Sequence, residues 1–243
     1  QHYKMICKYS DGILVDSSLG KKHVLESFPV NKKNIYVLPF VPPEYLRKKD
    51  DTNKVFKPPK NYLFYPAQFW EHKNHINLIK ALFILIKKGF NIELDLVGNI
   101  NLDFKKEFYT KLNKLGLDKK VNLLGQLQKD ELVKILKKDH IKIFPSKFET
   151  FGISLLESMA SSKLILCSNT SAMPEILNDA GLYFDPLIPE SIADCIENTI
   201  KNNTNHMDLK TKAYKRAKNY SWEKCSNETF NFIKFIYEKH FNN

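Results

Sequence analysis

The chain has 243 residues, of which 43% are hydrophobic, with 8 Gly and 11 Pro, enough to build one or two packed units and too ordinary for a disordered or low-complexity chain. Its four cysteines, Cys7, Cys167, Cys195 and Cys225, are widely spaced with no CxxC pair, which excludes a zinc framework or a disulfide scaffold and fits a reducing cytoplasm. Lys and Arg number 38 against 27 acids, a net charge of +11 that points either to an anionic partner (nucleic acid, a phosphate-bearing substrate, an anionic membrane surface) or to lysines on solvated helix faces.

In chain order, the first forty residues predict helix, strand, helix, strand. "DGILVDS" is a short apolar run between polar residues, "SLGKKHVLESF" has helical spacing behind a Ser17 or Ser18 cap, and "NIYVLPF" is a second strand. No signal-peptide pattern follows Gln1, which is not expected to be the native start. "VPPEYLRKKDDTNKVFKPP" follows, with four prolines and alternating charge, so residues 41–60 are predicted to be a linker.

From residue 61 the pattern becomes regular. Strands "NYLFYPA", "IELDLVG", "VNLLG" and "HIKIFPS" alternate with helices "NHINLIKALFILIKKG", "DFKKEFYTKLNKLG" and "KDELVKILKKD". The helix of "FGISLLESMA" comes next, then strand "KLILC", a short helix around "MPEIL", and strand "GLYFD". The chain is helical from Pro189, with Trp222 expected to pack the last helix, residues 221–243. Such alternation predicts an α/β fold, a doubly wound parallel sheet over residues 61–220, with ligands above the carboxyl ends of its strands. No run approaches the ~20 apolar residues that a membrane-spanning helix needs.

The loops at those strand ends carry the candidate chemistry. Thr150, Phe151, Gly152 and Ile153 put unpaired amides at a helix start, where the dipole favours an anion, and Gly152 lets a bulky ligand approach the main chain. Lys73, one loop away in "PAQFWEHKNH", can add a full positive charge to the same phosphate. Glu149 in the turn and Glu157 in the helix are suited to accept hydrogen bonds from hydroxyls. Two such acceptors around one diphosphate site describe a nucleotide sugar. His72 and His75 have HxxH spacing but no third ligand, so no metal is expected. Trp70 is either core or a lid on the loop.

"FETFGISLLE", with Glu149 and Glu157 bracketing seven residues, resembles the E-x7-E signature of the retaining GT-B glycosyltransferases of family 4, the glycosyl transferases group 1 domain. "SSKLILCSNTSAMPEILNDAGLYFDP", "YPAQFWEHKNH" and "YSWEKCSNETF" resemble further segments of that family in the same order. The resemblance covers residues 61 to 240. It makes residues 61–220 the Rossmann-like, nucleotide-sugar-binding donor half of a GT-B fold. Residues 1–40 then look like the end of a second, mostly missing acceptor-side α/β domain, which implies an inactive fragment.

The resemblance also implies roles. Glu149 would hold the hydroxyls of the transferred sugar, the amides of Phe151, Gly152 and Ile153 the diphosphate, and Glu157 the ribose. Lys73 would neutralise the leaving diphosphate in place of a metal, so no cofactor is implied. Backbone at Gln126 and Leu127 would face the base, and Gly98 would keep its loop low. The family commonly has an Arg about six residues before that Lys; here the nearest match is Gln68, and a protonated His72 is the expected compensation.

The implied activity is retaining, metal-independent transfer of a hexose from a GDP- or UDP-sugar to a lipid-linked or surface-polysaccharide acceptor. The loop "PAQFWEHKNH" resembles that of members acting with GDP-mannose. The implied setting is cytoplasmic, at the inner face of the membrane, with peripheral contact to anionic lipid and no nucleic acid. The alternatives are a sugar-nucleotide epimerase or hydrolase of the same architecture, for which no extra acid/base residue stands out, and a non-enzymatic basic binding module.

Overall fold

The structure is a computed structural model, and it describes residues 2–47, 62–100, 102–138, 140–202 and 206–241. The first unit runs α1 (His2–Tyr9), β1 (Ile13–Val15), α2 (Ser18–Ser27) and β2 (Ile35–Val37), with β1 and β2 paired in parallel. Ser17 caps α2, its side chain accepting from the Gly20 amide at 3.0 Å.

The stretch read as a linker begins with a helical turn, α3 (Glu44–Arg47), and residues 48–60 lie outside the described residues. Four residues carry no periodicity and cannot form a stable helix alone. Tertiary contacts hold this one: Leu46 is buried against the core, and the Tyr214 hydroxyl donates to the Arg47 carbonyl at 2.9 Å. The Arg47 guanidinium in turn donates to the Tyr220 carbonyl.

Beyond it come β3 (Tyr62–Pro66), α4 (His75–Lys87), β4 (Glu93–Val97), α5 (Leu102–Lys114), β5 (Val121–Leu123) and α6 (Lys129–Leu136). The chain then returns through β6 (Ile141–Phe144), α7 (Ile153–Ala160), β7 (Ile165–Ser168), α8 (Met173–Leu177) and β8 (Leu182–Phe184). The six strands form one parallel sheet in the order β5-β4-β3-β6-β7-β8. The fold is therefore α/β with a doubly wound sheet. All four residues of β6 and all four of β7 are buried, as expected for central strands covered on both faces.

The order of the strands fixes where a ligand belongs. Winding runs outward from β3 through β4 to β5, then restarts on the other side of β3 at β6. The carboxyl ends of β3 and β6 diverge there, and a crevice opens between their loops.

Three helices complete the chain: α9 (Pro189–Lys201), α10 (His206–Ala217) and α11 (Trp222–Phe241). The last returns to the first unit, where Phe232 stacks on Tyr36 with ring centroids 5.4 Å apart and Ile236 lies against Gly12. The expectation for Trp222 is corrected here. It is 62% exposed, and Phe232, further along, makes the buried contact. No helix among the described residues is long and apolar enough to cross a membrane.

Candidate active site

After β6, Pro145 ends the ladder and the turn 145–152 is tied down from three directions. Asn74 Nδ2 donates to the Pro145 carbonyl at 2.8 Å, and the Lys147 amide donates to the His72 carbonyl at 2.8 Å. Ser171 Oγ accepts from the Glu149 amide at 2.9 Å, and Ser17 Oγ, from the first unit, donates to the Thr150 carbonyl at 2.5 Å. Asn74 bends the opposing loop into place with φ 64°, a left-handed conformation that asparagine tolerates. The turn is held by side chains from β3–α4, β7–α8 and β1–α2, so its shape belongs to the whole molecule.

Gly152 ends the turn with φ 93° and stands as the N-cap of α7. A side chain there would be strained in any space, and its Cβ would meet Met173 Sδ at 3.1 Å. Among the described residues no acceptor takes the amides of Phe151, Gly152 or Ile153, so the positive end of α7 is open. These residues border a cleft of about 200 Å³ together with Phe40, Tyr65, Lys73, Glu149 and Thr150.

Inside the cleft, Lys73 Nζ donates to Glu149 Oε1 at 2.6 Å, both side chains being less than one-fifth exposed. In the sequence these two side chains have separate expected functions, a cation for phosphate and an acceptor for hydroxyls. The structure joins them as one ion pair. Ser146 Oγ also donates to Glu149 Oε1, at 2.8 Å. The Tyr65 hydroxyl stands behind Ser146, 3.0 Å from its Oγ.

The remaining sequence-predicted residues lie elsewhere. Gln68 and Gln126 are exposed and joined through Asn99, whose amide N–H donates to Gln68 Oε1 at 2.9 Å and whose Nδ2 donates to Gln126 Oε1 at 2.6 Å. Leu127 packs half-buried against the core. Gly98, with φ 144°, brings the end of β4 against that of β3: a Cβ there would lie 2.2 Å from the Ala67 carbonyl oxygen. Glu157 is outside the cleft, on the side of α7 that meets α3. Burial raises its carboxyl above the ordinary range, and its charge helps raise the Tyr45 phenol beside it.

The compensation expected of His72 is corrected. Burial, and then the neighbouring Lys73 charge, lower its imidazole below the ordinary 6.5, so it is mainly neutral at pH 7 and adds no full positive charge. The HxxH pair is divided as well. His75 is fully buried and stacked on Phe69 at 4.0 Å, and burial with the Lys73 charge pushes it down to about 3. Among the described residues no group of three His, Cys, Asp or Glu could hold a metal ion. Trp70 is half exposed, over a second cleft on the other side of the 71–73 turn.

Sequence reasoning missed Ser146, Tyr65, Asn74, Ser17 and Ser171. Two of these left a signal: Asn74 as the first residue of the predicted helix "NHINLIKALFILIKKG", and Ser17 as the predicted cap of "SLGKKHVLESF", neither of which pointed to the cleft.

The family described as glycosyl transferases group 1 matches residues 47–216. Among curated proteins, the capsular polysaccharide biosynthesis glycosyltransferase CapH of Staphylococcus aureus is 29% identical over 199 residues, 79% of this chain and 53% of that protein. The O-antigen chain mannosyltransferase B of Escherichia coli is 28% identical over 116 residues, 48% of this chain and 30% of that protein. The chain thus spans about half or less of the length of these relatives. Among solved structures, a glycosyltransferase from Rickettsia africae superposes with TM-score 0.80 at 21% identity, over 97% of this chain and 67% of that one. Anabaena Alr3699/HepE, solved in complex with UDP and glucose, superposes with TM-score 0.82 at 15% identity, over 95% of this chain and 64% of that one.

Proposed function

The chain belongs to the glycosyl transferases group 1 family, and from that premise we propose that the cleft between β3 and β6 binds the diphosphate and sugar of a nucleotide sugar for transfer. The observation that carries this reading is the Lys73–Glu149 pair at 2.6 Å beside the open amides of Phe151, Gly152 and Ile153. A cation and a helix start answer a diphosphate, and a carboxylate answers sugar hydroxyls. The names of relatives that act on O-antigen chains and capsular polysaccharide support a lipid-linked or surface-polysaccharide acceptor, with mannose among the candidate sugars. HepE, solved with UDP and glucose, supports a nucleotide sugar as donor, and GDP and UDP both remain candidates.

In this reading the chain is the donor half of a retaining, metal-independent GT-B enzyme of family 4. Lys73 and the α7 amides stabilise the leaving diphosphate, the largest charge that develops during transfer, and no divalent ion is needed. Glu149 holds the sugar. Glu157 takes the ribose hydroxyls, which sets the ribose between α7 and α3. The Gln126–Leu127 backbone faces the base, Gly98 keeps the β4 loop low, and Gln68 stands near the position of the family's arginine. The whole enzyme works at the cytoplasmic face of the membrane, the +11 charge of this chain favouring peripheral contact with anionic lipid. The chain alone binds donor without turning it over.

Calorimetry against GDP, UDP, ADP and their sugar nucleotides, with chelator present, tests the reading. Binding of one diphosphate series should survive chelator, and its abolition by chelator in a folded protein would remove the metal-free assignment. Glu149→Ala should lose affinity mainly for the sugar nucleotide, and Glu157→Ala should weaken nucleotide and sugar nucleotide alike, each by about tenfold. If a folded Glu157→Ala binds nucleoside diphosphate as well as the parent, the ribose assignment is wrong.

A further inference from the structure

Both hydrogen bonds that hold the Glu149 carboxylate inside the protein go to one oxygen. Lys73 Nζ donates to Oε1 at 2.6 Å, and Ser146 Oγ donates to the same atom at 2.8 Å. Oε2 has no protein partner among the described residues, although Glu149 lines the cleft. Ser146 is 1% exposed and does not border the cleft. The Tyr65 hydroxyl lies 3.0 Å from Ser146 Oγ and 3.0 Å from the carbonyl oxygen of Lys73.

Counting protons gives this cluster a direction. An ionised carboxylate only accepts, so Ser146 gives its single hydroxyl proton to Glu149. The Ser146 lone pairs then face Tyr65, and the Tyr65 proton is the one available to lie between the two hydroxyl oxygens. Burial raises the Tyr65 phenol well above its ordinary range, so that proton stays in place. If Tyr65 turned wholly to the Lys73 carbonyl, two oxygens 3.0 Å apart would face each other with no proton between them, or Ser146 would turn back and release Glu149. The Tyr65 proton is therefore shared between the Lys73 carbonyl and Ser146 Oγ, and the Ser146 proton goes to Glu149.

We propose that Ser146 is a positioning residue, with Tyr65 fixing the direction of its proton, and that the two set Glu149 so that Oε1 is engaged inside the protein and Oε2 is offered to a hydroxyl of the donor sugar. This rests on the nucleotide-sugar reading of the cleft. Of two carboxylate oxygens, only one is free to rank hydroxyl positions, so the pair confers selectivity for the sugar and not for the nucleotide. A carboxylate free to rotate would present either oxygen and discriminate less.

The test is the ratio of the Kd for free nucleoside diphosphate to that for its sugar nucleotide, by calorimetry with GDP and GDP-mannose or UDP and UDP-glucose, whichever pair the parent chain binds. Ser146→Ala should lower this ratio by about 2- to 10-fold, the loss of one hydrogen bond, and change the Kd of the free diphosphate by less than about twofold. In a Glu149→Ala background, which leaves Ser146 no carboxylate to position, Ser146→Ala should add nothing. Should Ser146→Ala fail to fold, Tyr65→Phe decides the question by the same ratio, with a fall of about 2-fold or more expected. A folded Ser146→Ala or Tyr65→Phe with the parent's ratio, while Glu149→Gln lowers it, overturns the positioning role and leaves the nucleotide-sugar reading intact. If Glu149→Gln keeps the ratio, or if the parent binds neither pair, the reading falls and the proposal with it.

Discussion

Lys73→Met should lower the affinity of the chain for nucleoside diphosphate by about 10- to 100-fold, as expected for hydrogen bonds between charged partners. Methionine keeps the aliphatic stem, so packing changes little and the charge is what is lost. The loss has two parts. The ammonium no longer meets the diphosphate, and Glu149, 2.6 Å away in the parent, stays behind as an uncompensated carboxylate near the same anion. Lys147→Met, on an exposed neighbour in the same turn, is the control and should change affinity by less than about twofold. Calorimetry on both variants at one ionic strength checks the difference. Equal affinities would withdraw Lys73 from the diphosphate site.

Acid should unfold this protein earlier than its carboxylates alone require. His75 titrates near 3 in the fold against an ordinary 6.5, so between these values the unfolded chain binds more protons than the folded one. Its contribution is present in full above 6.5 and is lost as pH falls toward 3, at up to ~1.4 kcal/mol per pH unit. From pH 6.5 to pH 3.5 that amounts to roughly 4 kcal/mol, a large share of the stability of a typical domain. His72 and His206, both lowered mainly by burial, act in the same direction. Urea unfolding of the parent and of His75→Phe at pH 7 and pH 5 is the measurement, and the variant should lose distinctly less stability across the interval. Equal losses would show that the ring titrates normally. Because His75 opens α4 directly after Lys73 and Asn74, donor binding should fail in acid together with the fold.

How much of this could be read in the sequence follows from how local each cause is. The sheet was legible because buried parallel strands announce themselves as apolar runs between helices, as in "HIKIFPS" before "FGISLLESMA". The start of α7 was legible because Pro145 and Gly152 bracket a turn that ordinary residues make poorly. The partners of Glu149 were not. Tyr65 and Ser146 are 81 positions apart, and nothing local distinguishes a tyrosine in an apolar strand from plain core. α3 was hidden for the opposite reason. Its surroundings of prolines and charges read as open chain, and the contacts that hold it, the burial of Leu46 and the bonds of Arg47 to Tyr214 and Tyr220, are all tertiary. Glu157 was legible as a helical acid, but the closeness of Tyr45 depends on α3 and so was lost with it.

The chain passes from the first unit to the six-stranded sheet through α3 and comes back through the segment before α11. Arg47, on the outward passage, donates to the carbonyl of Tyr220 on the return. With the Ser17 bond to the Thr150 carbonyl and the Phe232–Tyr36 stack, the two strips behave mechanically like a strap closed by several buckles. Tyr220 also packs edge-on against Phe151, with ring centroids 6.0 Å apart, so this fastening sits directly behind a residue that lines the cleft. A shift at the Arg47–Tyr220 fastening is therefore felt first at Phe151, on the wall of the cleft.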